Sequence, residues 1–387
     1  MTEAGLLAGC GVAAAVAALV LFVVGAAQAR AIERSAGPDR AHALRVLLVR
    51  LGTASAVCGG VVCGCWVVGA SRTGKGPAAV AVFVVVGLAC VALPVVAARV
   101  PVLAAYARVR GIRARALWPS PRLLAGTLIV FAALVGPFLA VLAAGVHFPL
   151  AVVLLLAAYL VVDPVLLGLL MPVLAWCRGA RPLPADVQQR LSGLAAWAGV
   201  AVRGRMIAGR ERKLANAWQL GWLPGLRYVL LTDYLLDEFP APEIDAVLAH
   251  ELGHARHNDI RTRQFFACLV MAAACMVIEG AIAAGSWSIV VDIAAIVAVW
   301  VAVALRRATF IRRELAADDL AVAAVGRGPV AAALERLTEL NAIKRDTSRR
   351  WNRRVGHPAM AERLARLRAG DLPAPAGTAS TGTAPRT

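Results

Sequence analysis

With 387 residues, 60% of them hydrophobic, only 17% charged and a mean hydropathy of +0.72, the chain carries more apolar surface than a soluble protein of its length can bury. A formal net charge of +18 would suit a nucleic-acid partner, but the arginines are confined to particular loops between apolar blocks, which argues against a nucleic-acid surface. The composition points to a helical protein that crosses a membrane several times and keeps one sizeable polar region outside it.

In chain order, seven apolar blocks reach spanning length, at roughly 5–29, 47–70, 77–98, 123–146, 149–176, 264–285 and 287–305. The first ends in Ala27-Gln28-Ala29, which resembles a signal-peptidase site. Met1-Thr2-Glu3 offers no basic leader and the apolar stretch is long, so a retained helix is expected. Arg30, Arg34, Arg40 and Arg45 follow the first block, and Arg99, Arg108, Arg110, Arg113, Arg115 and Arg122 lie between the third and fourth. The alternate loops hold Arg72 and Lys75, or no basic residue. This positive-inside bias places the N-terminus outside and the C-terminus in the cytoplasm, as an odd number of spans requires. A bacterial plasma membrane is the expected location.

The eight cysteines fall in or beside apolar blocks and read as small packing residues rather than a disulfide framework. Asp163, Glu279 and Asp292 stand within spans, where acids are costly; they are expected either to line a hydrated cavity or to reach the outer interface. The expected organisation is a five-span region over 1–177, a polar domain over 178–263, a membrane hairpin over 264–305, a second polar piece over 306–370 and a disordered tail over 371–387.

The polar domain begins with a helical pattern over Asp186–Val200. Strand-like stretches follow at Val200–Ile207, Ala217–Leu220 and Tyr228–Thr232, with Gly221 and Pro224-Gly225 marking the last two as a hairpin. Pro242 and Glu243 then open a helix whose apolar stripe is Ile244, Val247, Leu248 and Leu252. That helix carries His250-Glu251-Leu252-Gly253-His254. Two histidines one turn apart on one face can reach a single metal ion, with the glutamate beside them as base toward a water molecule. His257 points elsewhere on the helix and reads as a surface residue.

A site of this type needs a third protein ligand and one open position. Glu314 is the expected third ligand. His254 lies about ten residues before the sixth span and Glu314 about nine after the seventh. At 1.5 Å rise per residue, helices continuing out of the membrane hold both roughly 15 Å above its boundary. Asp318, one turn further, is placed to accept a hydrogen bond from a ligand imidazole and fix its tautomer.

This pattern resembles the family that contains the type I CAAX prenyl proteases and the HtpX membrane protease. The resemblance rests on His250-Glu251-Leu252-Gly253-His254, on Glu314 and Asp318 after a membrane hairpin, on Ala215-Asn216-Ala217-Trp218, on Tyr228-Val229-Leu230-Leu231-Thr232-Asp233, and on His357-Pro358 with Glu362-Arg363. It covers about 180–370. The seven-span layout is similar to the prenyl-protease branch. The resemblance implies a mainly α, polytopic membrane protein of about seven spans with a cytoplasmic, zincin-like α+β metalloprotease domain and one zinc ion per chain.

By the same resemblance, His250, His254 and Glu314 bind zinc, Glu251 is the general base, and Asp318 supports a ligand. Asn216 and His357 stabilise the oxyanion, and Arg363 orients the site or binds substrate. The Tyr228–Thr232 strand, with Tyr228 and Leu230, is expected to pair with an extended substrate. The partners expected are a peptide or membrane-protein substrate and the lipid bilayer, with no nucleic acid; the sequence sets no oligomeric state. A signal-transducing metalloprotease of the BlaR/MecR type, which would need an extracytoplasmic sensor that the short outer loops do not supply, is one alternative. A catalytically silent membrane scaffold is another, and transport a third. Nothing in the sequence reads a prenyl group specifically.

Overall fold

A computed structural model describes residues 3–35, 39–52, 55, 77–117, 119–143, 150–283, 286–347 and 358–369. The N-terminal part is helical: α1 (Glu3–Arg34), α2 (residues 40–52), α3 (Pro77–Arg110) and α4 (Pro121–Ala143). A broken helix follows, in which α5 (Leu150–Ala157) passes through a π-helical stretch, Ala158–Val162, into α6 (Asp163–Leu169) and then α7 (Met171–Cys177). Pro164 and Pro172 stand in the opening turns of α6 and α7, where a missing N–H costs nothing and continuation of the preceding ladder is blocked.

Several of these elements turn large apolar side chains outward. Leu19 of α1, Leu128 of α4, and Val153 and Val161 of the broken helix are all at least 60% exposed. Outward apolar faces on successive helices are what contact with lipid requires and what water penalises. Among the described residues, Val12–Arg34 is long and apolar enough to cross a bilayer, and the bent pair Val153–Leu169 with Met171–Cys177 is a second such element if taken as one. Most of the expected second span, the turn near His147 and the tail lie outside the described residues, as do the side chains of Asp163, Glu279 and Asp292. Cys177 and Cys268, the cysteines with described side chains, are buried and form no disulfide.

The polar region opens with α8 (Ala185–Ala198), which stops at Gly199, a residue with φ of 66° that lacks the Cβ such a conformation penalises. Three strands follow: β1 (Arg203–Ile207), β2 (Ala217–Leu220) and β3 (Tyr228–Thr232). Their order is β1-β3-β2, with β1 parallel and β2 antiparallel to β3. The hairpin expected between the last two strands is present, and every residue of β3 is buried.

The short helix α9 (Asp233–Glu238) leads into α10 (Ala241–Arg256), α11 (Asp259–Ala283), α12 (Ser286–Val325), α13 (Arg327–Leu340) and α14 (Met360–Ala369). Pro242 occupies the second position of α10 rather than the first, and Glu243 in that first turn is paired with Arg336 at 2.6 Å. The expected stripe of α10 is buried, but so are Ala246, Ala249, Gly253 and Ala255, so the helix is enclosed rather than amphipathic. Leu248 and Leu252 are fully buried, each contributing roughly 1.5–3 kcal/mol. One hydrophobic core gathers α8, β3 and α10 with Ala321, Val330, Leu334, Leu364 and Leu367, so the chain on either side of the α11–α12 hairpin closes around α10.

Candidate metal centre

His250 and His254 are one turn apart on α10, and their rings meet edge to face with centroids 4.7 Å apart. The long helix α12 runs uninterrupted past the end of the expected seventh span and carries Glu314 and Asp318 to them. The helix bearing His254 does not continue in the same way. α10 ends at Arg256, and Asn258, with φ of 52°, turns the chain before α11 begins. The continuity argument therefore holds for Glu314 and fails for His254, yet the two residues meet.

One ligand atom from each of His250, His254 and Glu314 lies within 4.8 Å of the others. The two Nε2 atoms are 3.2 Å apart, and the Glu314 carboxylate oxygens lie 3.8 Å from His250 Nε2 and 3.6 Å from His254 Nε2. Ligands at about 2.0–2.1 Å around a tetrahedral zinc ion stand about 3.3–3.4 Å apart. Both Nδ1 atoms lie within 3.0 Å of a carboxylate oxygen, so with the proton on each Nδ1 the two Nε2 lone pairs converge with a carboxylate beside them. A cation resolves that repulsion, so the donor set fits a zinc ion.

Each histidine is backed by an aspartate that is itself held by an arginine. His250 Nδ1 lies 3.0 Å from Asp318 Oδ1, a hydrogen-bonding distance with an approach off the ring N–H direction. Asp318 in turn accepts two bonds from Arg363, at 2.7 Å through Nε and more closely through Nη2. His254 Nδ1 is 2.7 Å from Asp259 Oδ2, and Asp259 pairs with Arg313, the residue before Glu314. Asp259 is 1% exposed and was not singled out by the sequence, where it looks like an ordinary acid opening a helix.

Electrostatics follow from this crowding. Burial disfavours the charged form of His254, but its bond to Asp259 and the charges of Glu251 and Glu314 outweigh that and raise its pKa. Burial also works against ionised Asp318; the Arg363 charge and the bonds from His250 and Arg363 win, holding its carboxyl well below the usual carboxylate range. The cavity is thus poised to accept positive charge. Arg263 adds the opposite sign, with Nη2 3.4 Å from Glu314 Oε1 and its guanidinium 5.0 Å over the Phe310 ring.

Glu251 is buried, and its Oε2 accepts from the backbone N–H of Gln219 at 2.6 Å. That contact ties the expected base to β2, the edge strand beside the ligands. Thr232 N donates to Asn216 O at 3.0 Å, so residues 216, 218 and 220 face β3, and Ala217 and Gln219 turn their backbone groups to the open edge.

A cavity of about 460 Å³ contains His250, Glu251, His254 and Glu314, with Asn216, Trp218 and Gln219 of the edge strand on one side and Val330, Leu334 and Leu337 on another. Asn216 is half-buried on this wall.

The expectation for the central strand changes. Tyr228 and Leu230 lie on the central strand, 4% and 1% exposed, with β1 and β2 already paired to either side, so they cannot receive an added strand. Arg363 reaches the cavity wall, is 6% exposed and is paired with Asp318, an arrangement that suits the first of its two expected roles, orienting the site. His357 lies outside the described residues, while His257 is exposed as expected.

Residues 183–370 match the model of peptidase family M48. A protease HtpX homolog from Helicobacter pylori (strain Shi470) is 46% identical over 46 residues, 12% of this chain and 15% of that protein; the homolog from Helicobacter acinonychis (strain Sheeba) matches to the same extent. The chain therefore aligns with about 15% of the length of these curated relatives. Among solved structures, the crystal structure of S. mikatae Ste24p is similar, with a TM-score of 0.57 at 18% identity over 76% of each chain, a likeness of fold.

Proposed function

We propose that the chain is a membrane-embedded zinc metalloendopeptidase that hydrolyses peptide bonds of peptides or membrane proteins from the cytoplasmic side, a reading supported by the match of residues 183–370 to the model of peptidase family M48. The observation that carries this reading is the convergence of His250, His254 and Glu314 within 4.8 Å, with Glu251 beside them on the same helix. A zinc ion bound there would polarise a substrate carbonyl and make a neighbouring water acidic enough to attack it near neutral pH.

The chain's own residues do the rest. Glu251, anchored through Oε2 by Gln219, keeps Oε1 for the attacking water, takes its proton and returns it to the departing amine. The open edge of β2 aligns an extended substrate by strand addition through the backbone of Ala217, in the place first expected of Tyr228 and Leu230. Asn216, at the head of that strand, is the proposed oxyanion donor, and His357 is proposed as a second on the sequence resemblance alone. Asp318 and Asp259 hold the imidazoles with Nε2 toward the ion. The outward apolar faces support a membrane-embedded N-terminal part, and the alternation of arginine-rich with arginine-poor loops between the apolar blocks supports the proposed seven-span layout with the N-terminus outside.

Glu251→Gln tests the reading. The variant is expected to keep one zinc per chain and to lose cleavage of an unstructured peptide by about 10²–10⁴-fold. Full activity in that variant would remove Glu251 from the mechanism and with it the proposal. Zinc binding without any cleavage by the wild type would favour the silent scaffold.

A further inference from the structure

The C-terminus of α13 is capped by arginines that belong to the N-terminal helices. Arg110, the last residue of α3, donates through Nη2 to Leu340 O at 2.6 Å and to Lys213 O at 2.8 Å. Arg45 of α2 donates through Nη2 to both Asn341 O and Ala342 O in close contacts. The last carbonyls of a helix have no partner within it and sit at the negative end of its dipole, so they attract cations. α13 has no basic residue in its own last turn, and the N-terminal layer supplies the charge.

The turn held in this way is part of the site. Asn341, 6% exposed, accepts from Ala215 N at 3.1 Å through Oδ1 and donates to Ala215 O at 2.6 Å through Nδ2, imitating a paired strand with its side chain. The next residue, Asn216, is fixed by Thr232 Oγ1, which lies 3.0 Å from its N–H and 3.2 Å from its carbonyl. β2 follows at once and holds Glu251 through Gln219. Two links therefore run from two N-terminal arginines to the head of the strand beside the ligands: arginine to the 340–342 carbonyls, and Asn341 to Ala215.

We propose that Arg45 and Arg110 are positioning residues for substrate binding, which set the edge strand β2 through Asn341 and make the N-terminal helices part of the protease site. This rests on the peptidase reading above, because it assigns β2 the substrate. Loss of the clamp frees the head of β2 while leaving both ligand histidines, Glu314 and their aspartate supports untouched. The effect falls on binding of an extended substrate rather than on metal or base.

The test uses the full chain in detergent, with Arg45 and Arg110 both changed to Ala. Zinc content should remain that of the wild type, and KM for an eight-residue fluorogenic peptide should rise at least about tenfold while kcat changes by less than about threefold. Changing both to Lys, which still donates to carbonyls, should recover most of the loss. Asn341→Ala, which removes only the link to Ala215, should raise KM in the same way and serves if the double variant does not fold. Unchanged KM in the folded variants, or a loss of zinc in step with the rise in KM, would overturn the proposal. If the wild type cleaves no peptide, the peptidase reading fails separately. Hydrogen exchange of residues 215–220 then decides the clamp: faster exchange in the variants supports it, and unchanged exchange refutes it.

Discussion

Gly253 stands between the two motif histidines, and its replacement by Ala perturbs the site through one dimension, the spacing of two helices. A Cβ at this position would lie 2.8 Å from Ala317 Cα and 3.0 Å from Ala317 Cβ on α12. Carbon atoms pack at about 3.5–4.0 Å, so the overlap is roughly 0.5–1 Å and is directed at backbone, which relieves it only by moving α12 away from α10. Overpacking of this kind costs about 1–3 kcal/mol, and exchanging Gly for Ala within a helix offsets up to about 1 kcal/mol. The protein should therefore fold with a modest loss. Glu314 lies one turn before Ala317 on the moving helix, and metal sites tolerate ligand displacements of only about 0.2 Å. Zinc affinity should fall at least about tenfold, about 1.4 kcal/mol, while the metal-free protein melts within a few degrees of the wild type. Competition with a chelator of known affinity, alongside thermal unfolding in EDTA, separates the two effects. Wild-type zinc affinity in Gly253→Ala would show that the α10–α12 contact does not set the ligand geometry.

Two further outcomes follow from the carboxylates behind the histidines. Asp259→Asn leaves Arg313 without its ionised partner and weakens the hold on His254 Nδ1, so zinc should bind about 10–100-fold more weakly; an unchanged affinity would make Asp259 a mere helix-start acid. Asp318 has its carboxyl depressed in the folded state, so its contribution to stability is fully present above the unfolded value of about 3.9 and disappears as pH falls through the lower folded value. The stability difference between the wild type and Asp318→Asn, from chemical denaturation of the metal-free protein, should stay constant from pH 7 to about pH 4 and shrink below it. A difference that shrinks between pH 7 and 5 would contradict the pairing with Arg363.

Local signals in the sequence located much of the site. The β2–β3 hairpin follows from Gly221 and Pro224-Gly225, and α10 from Pro242 and its apolar spacing, because turn chemistry and helical period act over a few residues. Glu314 and Asp318 were placed from the length of the expected hairpin, a spacing argument that α12 follows and α10, which ends at Arg256, does not. Pairings between distant segments were not legible. The parallel contact of β1 with β3, which makes Tyr228 and Leu230 central, has no turn to announce it. Arg363 lies far along the chain from Asp318, so its commitment to that carboxylate could not be read from spacing. Arg45 and Arg110 count in the sequence as two of many loop arginines; only the fold distinguishes them as caps on α13.

The central claim, that His250, His254 and Glu314 hold the one ion on which hydrolysis depends, is tested most directly by titrating zinc into the chelated, full-length protein while following cleavage of an unstructured peptide. Activity should be absent without metal, rise in proportion to zinc and level off at one equivalent per chain. Cleavage that persists through chelation, or that stays absent with one zinc bound, would contradict it.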